Sequence, residues 1–228
     1  RGTPVKKSVY PVGTFGSLNA ESALEVSSNI YMMQLAMLEG HAKYVPNSSL
    51  TMDSDIFTKM RGYFSQFGLG QKTGIDLPGE ATGIEGPTVN EYGEPANGSL
   101  LDLSYGNYDA YTLIQLAQYI STIANGGQRM KPYLVDSIQQ TGNDGSAGQV
   151  GTKTTPTVLS TVDAPESYFN VVKKGMYNVV NGTNAWGTAH TLKDIKPTLG
   201  AKTGTAQSFA REDPNDSTSK QVETVTSS

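Results

Sequence analysis

Three polar residues, Ser27-Ser28-Asn29, interrupt a stretch from Ala20 to Leu38 in which Ala23, Leu24, Ile30, Met33, Met37 and Leu38 return at helical spacing. Serine and asparagine compete for backbone hydrogen bonds and favour helix caps. The break therefore predicts two short helices with a turn at 27–29 rather than one long helix. A polar triplet between two core-forming stretches also needs a reason, which packing alone does not supply.

The rest of the chain divides by the same signals. The first 19 residues, rich in glycine, proline and serine, read as an irregular lead-in. Asp53 has the position of an N-cap for a helix carrying Ile56, Met60, Phe64 and Phe67, closed by Gly68 and Gly70. A long connection rich in glycine, proline and asparagine follows, from Gln71 to about Tyr108. Thr112 and Gln115 have capping-box spacing ahead of Leu113, Leu116, Ala117, Ile120 and Ala124, and Asn125-Gly126-Gly127 ends that helix. Tyr133 to Gln139 reads as a strand, with a turn at Gly142-Asn143-Asp144-Gly145. Asp163-Ala164-Pro165-Glu166 opens a helix bearing Phe169, Val172, Met176 and Val179 on one side, with Gly182 just past its end. Leu199 to Ala206 reads as a strand of small residues, and after Ala210 the chain turns polar with no further complete element expected. Several helices around at least one sheet make an α+β or mixed α/β fold.

Composition narrows the chemistry. Among 228 residues there is no cysteine, which excludes thiol nucleophiles, disulfides and thiolate metal sites. The two histidines, His41 and His190, lack metal-ligand spacing, so neither a metal nor another cofactor is expected. A net charge of −4 without a Lys/Arg cluster argues against nucleic acid. The most apolar window, Ile30 to Leu38, is too short to cross a bilayer.

Two short motifs remain, and each has a decoy. Lys-Thr-Gly occurs at 72–74 and at 202–204; Ser-x-Asn occurs at 17–19 and at 27–29. Lys72-Thr73-Gly74 leads into a loop, where Gly74 answers to turn geometry, and Ser17-Leu18-Asn19 is explained by capping. Lys202-Thr203-Gly204 instead lies among Ala201, Thr205 and Ala206, where the missing side chain of Gly204 would let an extended backbone pack flat against it.

Further segments stand in a fixed order around these motifs. They are Gly74-Ile75-Asp76-Leu77-Pro78-Gly79-Glu80, then Tyr111 to Tyr119 leading to Ala124-Asn125-Gly126-Gly127 and Pro132. Val180-Asn181-Gly182-Thr183 and Gly187-Thr188-Ala189 follow. With this context the chain resembles the transpeptidase domain of a class B penicillin-binding protein, nearest the type-2B proteins of Gram-positive bacteria. The resemblance implies the fold shared by penicillin-binding-protein transpeptidases and serine β-lactamases, an antiparallel sheet packed with helices. Residues 1–228 would be an internal part of one such domain, incomplete at both ends.

The implied chemistry is acyl transfer through a serine, cross-linking peptidoglycan stem peptides that end in D-Ala-D-Ala, with β-lactams as acylating mimics. On that resemblance Ser27 relays a proton from the nucleophile to the departing amine, and Asn29 bonds an amide of the bound peptide. Lys202 supplies positive charge beside Ser27; Thr203 and Thr205 hold the substrate carboxylate along the Gly204 backbone, and the Thr205 N–H forms half of an oxyanion hole. Ser28 is given no role. The resemblance also implies partners in the cell-wall synthesis machinery and a position on the outer face of the cell membrane, held by an N-terminal helix outside this chain.

The family's Ser-x-x-Lys nucleophile is expected upstream of Ser27, yet none of residues 1–26 forms it. The one match, Ser217-Thr218-Ser219-Lys220, follows the Lys-Thr-Gly motif in a polar stretch. Three alternatives stay open: a non-catalytic scaffold that kept the fold, a D,D-carboxypeptidase, and a serine β-lactamase. For the last, Glu166 and Asn170 have a tempting spacing, but Glu166 is also the carboxylate a helix N-terminus favours.

Overall fold

The computed structural model describes residues 10–46, 48–211, 218 and 221–227, of which 206–211 and 221–227 are described by their backbone. The expected lead-in is thus described only from Tyr10, and Ser217 and Lys220 lie outside the described residues. Among the described residues, six α-helices and six strands run in the order α1 (Ala20–Glu25), α2 (Asn29–Glu39), α3 (Ile56–Gln66), α4 (Asn97–Ser104), α5 (Leu113–Ala124), β1 (Gln128–Met130), β2 (Ser137–Thr141), β3 (Ala147–Lys153), β4 (Val158–Thr161), α6 (Glu166–Asn181), β5 (Thr205–Arg211) and β6 (Gln221–Ser227). The strands form three antiparallel pairs, β1 with β4, β2 with β3 and β5 with β6. The fold is mixed helix and antiparallel sheet, as the sequence implies. No helix among the described residues is long and apolar enough to cross a membrane.

The chain forms two compact units. The first comprises residues 1–54, 88–108 and 170–228; the second comprises 55–87 and 109–169. In the first, α2 packs on α4. Its buried side chains include Ala23 and Val26 by the 27–29 turn, Met33 and Ala36 on α2, Leu100, Leu101 and Leu103 on α4, and Val179 and Val180 on α6. Helix α4 falls inside the stretch expected to be irregular. Its Asn97-Gly98-Ser99 start is poor helix material and no side chain caps it. Burial of its three leucines and a bond from Asn97 Nδ2 to the Leu50 carbonyl (2.8 Å) hold it, a tertiary effect that local sequence does not carry.

In the second unit, the capping box at Thr112 and Gln115 forms as expected. Gln115 goes further: its amide nitrogen donates to the Gln71 and Thr82 carbonyls at 2.7 and 3.0 Å, so one buried side chain closes the helix and ties down two loop segments. Lys72-Thr73-Gly74 belongs to this packing. Thr73 is fully buried, and the Glu80 carboxylate accepts from the Thr73 hydroxyl and from the Thr73 and Gly74 N–H groups. Gly74 has φ +81°, the left-handed geometry expected of a turn glycine.

Asp109 is the charge at the heart of the second unit. It takes two bonds from Arg61, at 2.9 and 2.7 Å, and one from the Gly86 N–H at 2.9 Å, with its side chain 1% exposed. Desolvation alone would raise its pKa, but the bonds from Arg61 and Gly86 outweigh it and hold the carboxyl below its usual value. Asp109→Ala takes two bonds from the largely covered Arg61 guanidinium, which keeps only the Gly86 carbonyl at 2.7 Å and Glu85 at 3.7 Å, and is expected to lower stability by about 3 kcal/mol in urea unfolding. Because the folded pKa is the depressed one, that contribution is fully present above the unfolded value of 3.8 and fades as pH falls below it.

Four further local expectations differ from the structure. The strand expected over 133–139 begins only at Ser137 and runs to Thr141. Asp53 does not cap α3; Asp55 holds that position, without a side-chain bond, and Asp53 instead pairs with His41 at 2.6 Å while its N–H meets the Gly40 carbonyl. The strand expected over 199–206 begins only at Thr205, because Leu199 and Ala201 are tied to α6 by single bonds instead of a ladder. Strand β6 then occupies the polar end of the chain, running from Thr205↔Ser227 to Arg211↔Gln221 against β5.

Candidate active site

The turn that carries Ser27 is built by two overlapping helix signals. Helix α1 ends with the Ser28 N–H on the Ala23 carbonyl (2.9 Å) and the Ser27 N–H on the Leu24 carbonyl (3.2 Å), the two bonds of a Schellman stop. Helix α5 stops the same way, with Gly127 on Thr122 and Gly126 on Ile123, and there the left-handed position is filled by glycine. In the α1 stop that position is Ser27, at φ +54°. A side chain in that conformation costs about 1–2 kcal/mol, so the fold alone would favour glycine. Ser28, given no role from sequence, is the N-cap of α2: its hydroxyl accepts from the Tyr31 N–H at 3.3 Å. The serine pair thus closes one helix, opens the next and leaves Ser27 projecting from the junction.

Lys202 reaches this junction across 175 residues of sequence. Its ammonium donates to the Ser27 hydroxyl at 2.6 Å and to the carbonyl of Thr203 at 2.8 Å. Lys202 as a whole is exposed, but desolvation of the ammonium draws its pKa below the usual lysine value of 10.5. The segment before it is fixed to α6 by the Ala201 N–H on the Met176 carbonyl (3.0 Å) and by Asn181 Nδ2 on the Leu199 carbonyl (2.7 Å).

Of the other residues singled out by sequence, Thr203 is half-buried and its hydroxyl donates to the Thr188 hydroxyl at 2.8 Å. Gly204 and Thr205 are exposed, and Thr205 opens β5. Asn29 is exposed at the first position of α2; no bond joins its side chain to Lys202, Thr203 or Thr205 among the described residues. Glu166 lies in the first turn of α6, the position a carboxylate favours at a helix N-terminus. His41 is occupied with Asp53, and His190 begins a short 3-10 helix. No group of three or more His, Asp or Glu side chains that could hold a metal occurs among the described residues. Thr188 is the member that residue-level reasoning missed: its triplet carried the resemblance, but nothing local marked its hydroxyl.

The chemistry open to this arrangement follows from the bonds. A lysine ammonium donating to Ser27 leaves the serine's own proton free to pass to one neighbour while its oxygen takes a proton from another. Exposed Gly204 and Thr205 beside a cation offer an edge for an anionic, extended peptide.

The sequence pattern described as the penicillin binding protein transpeptidase domain matches residues 6–227. Penicillin-binding protein 2A of Bacillus subtilis strain 168 is 44% identical over 194 residues, which is 85% of this chain and 26% of that protein. Penicillin-binding protein H of the same organism is 42% identical over 205 residues, 90% of this chain and 27% of that protein. Among solved structures, penicillin-binding protein 2B from Streptococcus pneumoniae strain R6 superposes with a TM-score of 0.78 at 32% identity, covering 92% of this chain and 32% of that one. The chain spans about a quarter of the length of these curated relatives.

Proposed function

The chain belongs to the penicillin-binding-protein transpeptidase family, and on that premise we propose that residues 1–228 form part of a class B D,D-transpeptidase domain. The full-length protein would join peptidoglycan stem peptides by serine acyl transfer and be acylated by β-lactams. The observation that carries the reading is the 2.6 Å bond between Lys202 Nζ and Ser27 Oγ, which unites the Ser-x-Asn and Lys-Thr-Gly elements.

In this mechanism the attacking hydroxyl belongs to a Ser-x-x-Lys segment outside residues 1–228, since no residue before Ser27 forms one. It attacks the penultimate D-alanine carbonyl, and the oxyanion is received in part by the Thr205 N–H. Ser27 passes its proton to the departing D-alanine nitrogen and is resupplied by the proton of the attacking hydroxyl, while the Lys202 ammonium keeps its charge and holds Ser27 in place. Thr203, Thr205 and the Lys202 charge hold the terminal carboxylate, while Asn29 bonds a peptide amide. An amine from a second stem peptide then takes the acyl group. Transfer to an amine outside the cytoplasmic membrane, beside the cell-wall synthesis machinery and through a membrane-anchored full-length protein, completes the proposal.

Incubation of the full-length protein with a fluorescent penicillin is expected to yield one covalently labelled species. Folded protein that takes no label would sink the reading and favour the scaffold alternative.

A further inference from the structure

The Thr188–Thr203 hydroxyl pair has geometry that nothing in the proposed mechanism uses. We infer that Thr188 is a positioning residue that sets the direction of the Thr203 proton toward a bound carboxylate. The inference rests on the proposed transpeptidase reading and adds a residue to its anion-binding wall.

Each threonine hydroxyl carries one proton and two lone pairs. At 2.8 Å, Thr203 donates to Thr188 and has no second proton for a substrate. Binding an anion at Thr203 therefore requires both hydroxyls to rotate, so that Thr188 donates to Thr203 and Thr203 donates to the carboxylate. Neither hydroxyl loses a bond in this exchange. The resulting chain ends on a charge, which strengthens both of its links. Without the Thr188 proton, Thr203 would give up its only proton with nothing donated to its own oxygen.

The spacing of the pair is fixed from behind by one element. The Ala189 N–H bonds the Val179 carbonyl at 3.1 Å, and the Ala201 N–H bonds the Met176 carbonyl at 3.0 Å. Both partner carbonyls belong to the last half of α6, so that helix places the two threonine segments side by side. Ala189 packs with Val179 and Val180 in a buried cluster joined by Leu192 and Ala201. Gly187 lies against the ring of His190: a Cβ there would meet His190 Nε2 at 2.2 Å, so the imidazole would have to move to admit one. Trp186 is gripped edge-on by Tyr10 and Phe15, at centroid distances of 5.2 and 5.9 Å. Thr188 is nevertheless exposed, and its hydroxyl is free to turn.

The test compares benzylpenicillin with its methyl ester as acylating probes of the full-length protein. Thr188→Val keeps the shape and removes the hydroxyl. It is expected to slow acylation by the free acid about tenfold, the loss of one hydrogen bond to a charge-bearing chain, while acylation by the ester stays within about twofold of wild type. Thr188→Ser, which restores a hydroxyl, is expected to recover the free-acid rate. An equal loss with both probes would mean a merely structural role and would overturn the inference, as would an unchanged free-acid rate in Thr188→Val. If wild-type protein takes neither probe, the transpeptidase reading itself fails, a result distinct from both.

Discussion

Lys202→Ala in the full-length protein is expected to slow β-lactam acylation by about 10²–10⁴-fold, the usual scale for losing a positioned proton-transfer group, with little change in stability. One ammonium holds both the Ser27 hydroxyl and the Thr203 carbonyl, so its removal takes away the cation that orients the relay and the charge beside the carboxylate site together. Lys202→Arg should not rescue it, because a planar guanidinium cannot occupy the same point between two oxygens 2.6 and 2.8 Å away. The pH dependence has a definite sign. Desolvation lowers the Lys202 pKa, so the ammonium is lost as pH rises through a value below 10.5. The wild-type acylation rate should fall along that limb, and the limb should be missing from Lys202→Ala. Stopped-flow acylation across pH checks both; a variant as fast as wild type would remove Lys202 from the site.

Replacement of Ser27 is the second large effect, and it separates chemistry from folding. Ser27→Ala and Ser27→Gly both remove the relaying hydroxyl and are expected to slow acylation by about 10²–10³-fold. Their stabilities should differ in the opposite order from helix-interior positions. Alanine keeps a Cβ at φ +54°, whereas glycine adopts that geometry without strain, so Ser27→Gly should be more stable than Ser27→Ala by about 1 kcal/mol. The pattern would identify Ser27 as a residue held in an unfavourable backbone conformation for the sake of its side chain. His41 also has a positive φ, +48°, in the corresponding stop of α2, so backbone strain alone does not mark a site. What sets Ser27 apart is its bond to Lys202. Equal stability of the two Ser27 variants in denaturant unfolding would remove the strain argument.

These residues show what the sequence could and could not reveal. The split at 27–29, the Thr112 capping box and the start of α6 were legible because each is decided within a few residues, by caps and helical periodicity. The left-handed backbone of Ser27 was not, since glycine is the residue that advertises that geometry and serine hides it. Helix α4 was missed because its stability comes from Leu100, Leu101 and Leu103 meeting the core, against weak propensity at its start. Strand β6 was missed because its backbone bonds are satisfied by β5, ten or more residues back, instead of by any local signal. For the site, the Ser27 and Lys202 motifs were visible as candidates, but two decoy copies meant that only context separated them. The hydroxyl contact between Thr188 and Thr203 depends on how α6 aligns two segments, so no local pattern could announce it.

The account stands or falls on where the acyl group forms. Digestion of the penicillin-labelled full-length protein, followed by peptide mass spectrometry, locates it. The prediction is a single penicilloyl group on the serine of a Ser-x-x-Lys segment outside residues 1–228, with Ser27 unmodified. A penicilloyl group on Ser27 or on Ser217 would contradict the assignment of Ser27 as a relay and of this chain as the wall that the nucleophile faces.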